Sequence, residues 1–371
     1  MDKSEPFEIF LVVTPGLEQP LAEEARALGF DAPVVSPGGV TMQGHWTDIW
    51  RANLWLRGAT RVLVRIGAFR AFHLAQLDKR ARKFPWADTL RADVPLRVEV
   101  TCRKSKIYHA KAAAQRIERA LSEVLGATID PKADLVVKVR IEDDLCAISL
   151  DTSGESLHKR GHKPAVGKAP MRETMAAMFL CQCGFDGHET VYDPMCGSGT
   201  FVLEAAEIAT GLAAGRSRGF AFQHLASFDA EAWDRMRNTA STRTPDARFF
   251  GSDRNDGAIA NSIRNSEAAG VGAITRFHRA AISDIAPPEG PPGLVIVNPP
   301  YGARIGNKKV LFGLYGAFGQ VLKDRFQGWR VGVITSDGGL ARATALPFLP
   351  PGPPVAHGGL KVKLYQTAPL P

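Results

Sequence analysis

The stretch 192-YDPMCGSGTFVLEAA-206 puts an aspartate behind a short apolar run, follows it with a Gly-Ser-Gly turn, and then continues as an unbroken series of good helix formers. It reads as strand, turn and helix. Gly197 and Gly199 let a backbone approach a ligand closely, and the helix behind them supplies free N–H donors. The Lys-Ser/Thr pair of a phosphate-binding P-loop is absent, and G-x-G-x-x-G is not completed. Such a turn suits a nucleoside with a short charged tail better than a dinucleotide pyrophosphate.

The surrounding sequence repeats the same alternation. Strand-like 248-RFFGSD-253, 274-ITRFHRA-280, 294-LVIVNPP-300 and 330-RVGVITSD-337 alternate with helix-like 256–270 and 309–326, which predicts a mostly parallel, doubly wound sheet. Two further carboxylates fall at or just after the next strand ends, Asp253 in 251-GSDRN-255 and Asp284 in 281-AISDI-285. A carboxylate alone at such a place is more often a helix cap or turn residue. Three in succession form a set in which Asp253 can accept from ribose hydroxyls and Asp284 from an adenine amino group. Asp253 lies farther from Gly197 than the roughly 20 residues of a minimal dinucleotide unit, so residues 212–246 are read as an insertion.

The apolar run 294-LVIV-297 ends in 298-NPPYG-302, where two consecutive prolines can continue neither a strand ladder nor a helix. On its own the loop can be a rigid turn. Beside a nucleoside site it has a chemistry. The exocyclic amine of a nucleobase is a poor nucleophile because its lone pair is delocalised into the ring. Acceptors at the Asn298 side chain and the Pro299 carbonyl would free that pair, the prolines would hold both acceptors still, and Tyr301 would stack on the extruded base.

Upstream, 8–16, 39–46 and 60–69 read as strands and 17–30 and 47–59 as helices, a β-α-β-α-β order expected to form a small α+β module rather than part of a large sheet. Residues 95–102, 109–126, 134–143 and 145–153 read as a second small unit. The polar stretch 157-LHKRGHKPAVGKAP-170 marks a boundary.

The chain of 371 residues carries 46 basic and 38 acidic residues, a net +8, and residues 61–120 alone hold 15 Lys/Arg against 5 Asp/Glu. That local excess points to a polyanionic partner. Its densest part, 102-CRKSKIYHAK-111, offers Arg103, Lys104, Lys106 and Lys111 to phosphates and Tyr108 to an unpaired base. The five cysteines are scattered and odd in number, as expected of reduced thiols, and Cys181, Cys183, His188 and Cys196 lack zinc-ligand spacing. No metal is expected. No signal-like or membrane-spanning run is evident, so a cytoplasmic protein without a membrane partner is expected.

The pairing of 193-DPMCGSGT-200 with 298-NPPYG-302 resembles the class I S-adenosylmethionine-dependent amino-methyltransferases. The whole chain, including 54-LWLRGATRVL-63, 158-HKRGHK-163 and 170-PMRETMAA-177, is similar to bacterial THUMP-domain RNA methyltransferases, whose near relatives make N2-methylguanine in 23S ribosomal RNA. The resemblance implies a ferredoxin-like module over 1–68, a THUMP RNA-binding domain over 69–156 and a Rossmann-like methyltransferase domain over 165–371. It assigns Asp193, Cys196, Gly197, Ser198 and Gly199 to the methionine end of S-adenosylmethionine, Asp253 to the ribose and Asp284 to the adenine. Glu173 helps orient the cofactor, and Asn298, Pro299, Pro300 and Tyr301 form the target-base loop. The implied substrate is the exocyclic amine of guanine in 23S ribosomal RNA or a precursor particle. N2-guanine methylation of tRNA, N6-adenine methylation of RNA or DNA, and a non-catalytic RNA-binding factor are the alternatives. Longer relatives carry a second methyltransferase domain after the position of residue 371, so one modification is expected here.

Overall fold

The computed structural model describes residues 6–164, 171–239, 242–302 and 308–371. The expected boundary at residue 165 lies outside them. The chain forms two compact units. The first gathers the chain up to Val13, Ala22–Leu157 and Arg218–Thr239; the second gathers Thr14–Leu21, His158–Ser217 and the remainder to Pro371. Each holds a sheet of seven strands among the described residues.

The strands of the first unit are β1 (Phe7–Val12), β2 (Val34–Ser36), β3 (Gly39–Gly44), β4 (Arg61–Arg70), β5 (Leu96–Arg103), β6 (Leu135–Glu142) and β7 (Leu145–Asp151), in the spatial order β2-β3-β1-β4-β7-β6-β5. All neighbours are antiparallel except the β5–β6 pair. Helices α1 (Glu18–Ala27), α2 (Trp46–Trp55), α3 (Leu74–Ala81) and α4 (Ala110–Ala120) fall between them in sequence. Alternation sets the inward face: Ile9 and Leu11 in β1, Val62 and Val64 in β4, and Val137, Val139 and Ile141 in β6 are buried. On α4 the buried residues are Ala113, Ile117 and Ala120, at helical spacing.

One sheet, rather than two small ones, corrects the reading of residues 1–68 as a module outside any large sheet. The edge left free on β4 is taken by β7, from Leu63↔Asp151 to Arg70↔Leu145. A register shift at Gly67 lets the ladder continue where a side chain would strike the Phe84 ring at 2.7 Å. An unpaired strand edge inside a folded unit leaves a row of backbone groups unsatisfied, so a long β4 calls for a partner.

Part of the 212–246 stretch completes this first unit. Phe222 is fully buried, with ring contacts to Trp50 at 6.0 Å and Trp233 at 5.0 Å, the latter on α7 (Ala230–Asn238). Arg218 donates to the carbonyls of Glu155 and Ser156 at 2.5 and 2.9 Å. Both residues are thereby committed to packing.

The second unit contains α5 (Glu173–Gln182), β8 (Val191–Asp193), α6 (Thr200–Thr210), β9 (Phe249–Asp253), α8 (Asp256–Ala268), β10 (Thr275–Arg279), β11 (Leu294–Val297), α9 (Lys308–Arg325), β12 (Arg330–Thr335), α10 (Gly338–Ala343), β13 (Val355–His357) and β14 (Leu360–Gln366). Its strand order is β10-β9-β8-β11-β12-β14-β13. The strands run parallel from β10 to β12 and antiparallel from β12 through β14 to β13. All four residues of β11 are buried, as they must be in a parallel strand covered on both faces. The chain lays down β8, β9 and β10 in one direction, then crosses to the other side of β8 to place β11. The C-terminal ends of β8 and β11 thus flank the topological switch point, where open α/β sheets hold their ligands.

Candidate functional site

At the end of β8, Asp193 is 2 % exposed, and its Oδ1 accepts the Met195 N–H at 3.0 Å. Burial pushes its carboxyl up to about 8; the Met195 N–H pulls the other way, and the charge of Asp253 adds to the rise. Asp193 therefore shapes the turn from beneath.

The turn itself is fixed from three directions. Asp253, at the end of β9, accepts the Gly197 N–H at 3.1 Å through Oδ2 and the Asn255 N–H at 2.9 Å through Oδ1. From α8, Ser262 Oγ donates to the Gly197 carbonyl at 2.9 Å, and Asn265 Nδ2 to the Ser198 carbonyl at 3.0 Å. The Cys196 N–H bonds the Ser252 carbonyl at 2.9 Å. Each Asp253 oxygen keeps a second lone pair for a hydroxyl donor. Cys196 itself is buried, its Sγ 3.8 Å from Ser262 Oγ, and burial raises its thiol well above the ordinary range, so it presents backbone rather than a reactive sulfur.

The two glycines differ. Gly199, at φ +82°, leaves no room: a Cβ there would meet Ser262 Oγ at 3.1 Å and the Phe277 ring at 3.3 Å. Gly197, at φ +55°, faces open space, with nothing within 4 Å of a Cβ position. The first is required by packing; the second leaves the backbone bare where a ligand can reach it. Asp284 is exposed beyond β10, taking a 2.9 Å bond from Ser283 Oγ.

On the other side of β8, Val297 ends β11 and delivers Asn298. Its Oδ1 is buried and has no hydrogen-bond partner among the described residues. Pro299 is buried, and the Pro300 carbonyl accepts from Tyr315 Oη of α9 at 3.3 Å. Tyr301 packs against the core that contains Tyr315, Val297 and Val333, and burial lifts its phenol to about 12. At neutral pH it is an uncharged ring.

Glu173 opens α5. Its Oε1 receives Lys163 Nζ at 2.8 Å, and the same ammonium donates to Thr200 Oγ1 at 2.6 Å, directly after Gly199. Sequence reasoning overlooked Lys163, Ser262, Asn265 and Tyr315. The cluster 158-HKRGHK-163 contained Lys163, but nothing local distinguished it from its neighbours.

In the first unit, Arg103, Lys104, Lys106, Tyr108 and Lys111 are all exposed where β5 turns toward α4. Tyr108 is 72 % exposed and lies 4.1 Å from the His109 ring. Lys106 Nζ sits 5.0 Å over Phe72, and Arg103 Nε is 3.6 Å from Glu142. No helix among the described residues is long and apolar enough to cross a membrane.

A doubly wound sheet with a glycine turn and strand-end carboxylates on one side of its switch point, and an Asn-Pro-Pro-Tyr loop on the other, has the class I methyltransferase fold. The chain belongs to the family described as RMKL-like, methyltransferase domain, which matches residues 160–346; the RlmL ferredoxin-like domain matches residues 8–63. A Synechocystis protein provisionally assigned as an RNA methyltransferase is 32 % identical over 96 % of this chain and 95 % of its own length. The ribosomal RNA large subunit methyltransferase K/L of Syntrophotalea carbinolica is 35 % identical over 91 % of this chain, which spans about half (50 %) of that relative. Among solved structures, SMU.472, a provisional methyltransferase complexed with SAH, superposes with a TM-score of 0.88 at 25 % identity, covering 99 % of each chain. A Listeria monocytogenes protein named as a predicted N6-adenine-specific DNA methylase superposes at 0.86 with 30 % identity, over 98 % of this chain and 96 % of its own.

Proposed function

We propose that the protein transfers a methyl group from S-adenosylmethionine to the exocyclic amine of guanine, giving N2-methylguanine in 23S ribosomal RNA or a precursor particle. One observation carries the reading: the buried Oδ1 of Asn298, which has no hydrogen-bond partner among the described residues, held on a double proline at the end of β11. A buried acceptor left unsatisfied is destabilising by roughly 1–3 kcal/mol. Its retention is explained by a donor that arrives with the substrate, and an exocyclic N–H₂ is such a donor.

S-adenosylmethionine supplies a methyl group on a sulfonium, from which a neutral thioether departs. The rest is positioning by this chain. Gly197 and Gly199 admit the methionine end beside Cys196, Ser198 and Glu173, while Asp253 takes the ribose hydroxyls and Asp284 the adenine. Asn298 Oδ1 and the Pro299 carbonyl would accept the two amine hydrogens and so leave the nitrogen lone pair free for the methyl group that S-adenosylmethionine would supply. Tyr301 stacks on the base, and the extra proton leaves the product amine to water. Residues 69–156 are proposed as a THUMP domain that docks the RNA through Arg103, Lys104, Lys106, Tyr108 and Lys111, and the reaction is proposed to be cytoplasmic.

The name of the Listeria structural relative favours one second reading, N6-adenine methylation. The same loop accepts either amine. Incubation with methyl-labelled S-adenosylmethionine and RNA from cells lacking the protein, then nucleoside analysis by mass spectrometry, separates the two. Label in N2-methylguanosine supports the proposal; label in N6-methyladenosine overturns its base; no label in any RNA overturns its substrate class.

A further inference from the structure

Strand β14 carries its buried side out past the core. Val362 and Leu364 are 0 % and 3 % exposed, whereas Leu360, on the same side by alternation, is 46 % exposed at the tip of the β13–β14 hairpin. The tip is narrow. Gly358 and Gly359 make the turn at φ +56° and +83°, between His357 and its cross-strand partner Leu360, and a Cβ at either glycine would meet nothing within 4 Å. It also adjoins the Asn-Pro-Pro-Tyr loop: Gly302 directly follows Tyr301, and a Cβ there would lie 3.4 Å from Leu360 Cδ1. Lys361 and Lys363 alternate with the apolar set on β14, and neither forms an ion pair among the described residues.

We propose that Leu360 is a wedge for helical RNA: it enters the base stack where the target guanine leaves it, while Lys361 and Lys363 meet the flanking phosphates. The proposal rests on the function given above. A guanine stacked in a helix cannot bring its exocyclic amine to Asn298, so it must first swing out. The gap it leaves bares the faces of its two neighbours, and an apolar side chain that fills the gap replaces the stacking lost there. A leucine left half-exposed in the free protein gains its burial only when such a partner arrives. The lysines beside it fit a polyanion. Tyr301 then holds the extruded base, and Leu360 the stack it came from.

Single-turnover methyl transfer by the full chain to RNA from cells lacking it, assayed folded in magnesium and again after heat-melting without it, tests this. Leu360→Ala is expected to slow transfer to folded RNA about 10- to 100-fold, the range set by the cost of unstacking a base step. Melting the RNA beforehand should recover most of that loss, and Leu360→Met, which keeps an apolar wedge, should recover it on folded RNA. The loss should fall on the limiting rate at saturating RNA, with half-saturation within about twofold, because the wedge acts after docking. Equal slowing on folded and melted RNA overturns the wedge, since Leu360 then acts on the base or its loop. So does a loss confined to half-saturation, or an unchanged rate on folded RNA. Wild-type protein that methylates neither RNA overturns the function proposed above, and the wedge with it.

Discussion

Replacing Asn298 by alanine sets stability against activity. In most buried asparagines the change removes hydrogen bonds and destabilises the fold. Here Oδ1 has no partner among the described residues, so its removal forfeits no bond at that atom and relieves a desolvation penalty of about 1–3 kcal/mol. Against this stands a modest loss of packing, since the residue is only half-buried beside the buried Pro299. The balance is a melting temperature unchanged or raised by a few degrees, because about 1 kcal/mol moves a domain of this size by roughly 2–4 °C. Turnover should move the other way. Loss of one preorganised hydrogen-bonding group at a transition state lowers kcat by about 10²–10³. Differential scanning fluorimetry, titration with S-adenosylhomocysteine and single-turnover methyl transfer to RNA give the three readouts. A melting temperature that falls by many degrees along with activity would make Asn298 structural. A tenfold or larger drop in cofactor affinity would place it on the wrong side of the site.

Asp193, with its carboxyl raised by burial to about 8 from an ordinary 3.8, binds its proton more tightly folded than unfolded. It therefore makes stability fall as pH rises from about 4 to about 8, with no further loss above. Asp193→Asn should flatten that part of the melting-temperature profile, and parallel profiles for variant and wild type would refute the assignment. Gly199→Ala forces a side chain into φ +82° and against Ser262 and Phe277, so it should lower both stability, by at least about 1–2 kcal/mol, and cofactor affinity. Gly197→Ala meets no neighbour but holds a side chain at φ +55°, so it should cost about 1–2 kcal/mol of stability, less than Gly199→Ala, and also reduce cofactor affinity; unchanged affinity in a titration would mean that Gly197 does not face the ligand. Lys104→Gln with Lys106→Gln should lower RNA affinity and flatten its logarithmic salt dependence by about 1.5–2, and an unchanged slope would move the RNA contact elsewhere.

The repeating β-α units were legible because interior parallel strands are continuous apolar runs and the groups at their ends are adjacent to them in sequence: GSG after β8, Asp253 in β9, Asn298 after β11. Contacts across the chain have no such signature. The β4–β7 ladder joins Leu63 to Asp151, Lys163 reaches Thr200 across 37 positions, and Tyr315 reaches Pro300 through a helix whose apolar pattern would have been satisfied by phenylalanine. The hydroxyl was the informative atom, and periodicity does not register it.

Asp193 and Asp253 make the point most sharply, since in sequence they are the same object, an acid closing a short strand. What separates them is burial. β8 lies between β9 and β11, and the acid at its end is 2 % exposed. β9 lies one place nearer the edge, and its acid stays half-exposed while gripping the turn that β8 leads into. The same residue type thereby becomes a carboxyl raised to about 8 in one case, and a half-exposed acceptor of the Gly197 N–H in the other. That difference in burial is a property of the folded sheet, so composition and spacing reach the set of carboxylates but not their separate surroundings.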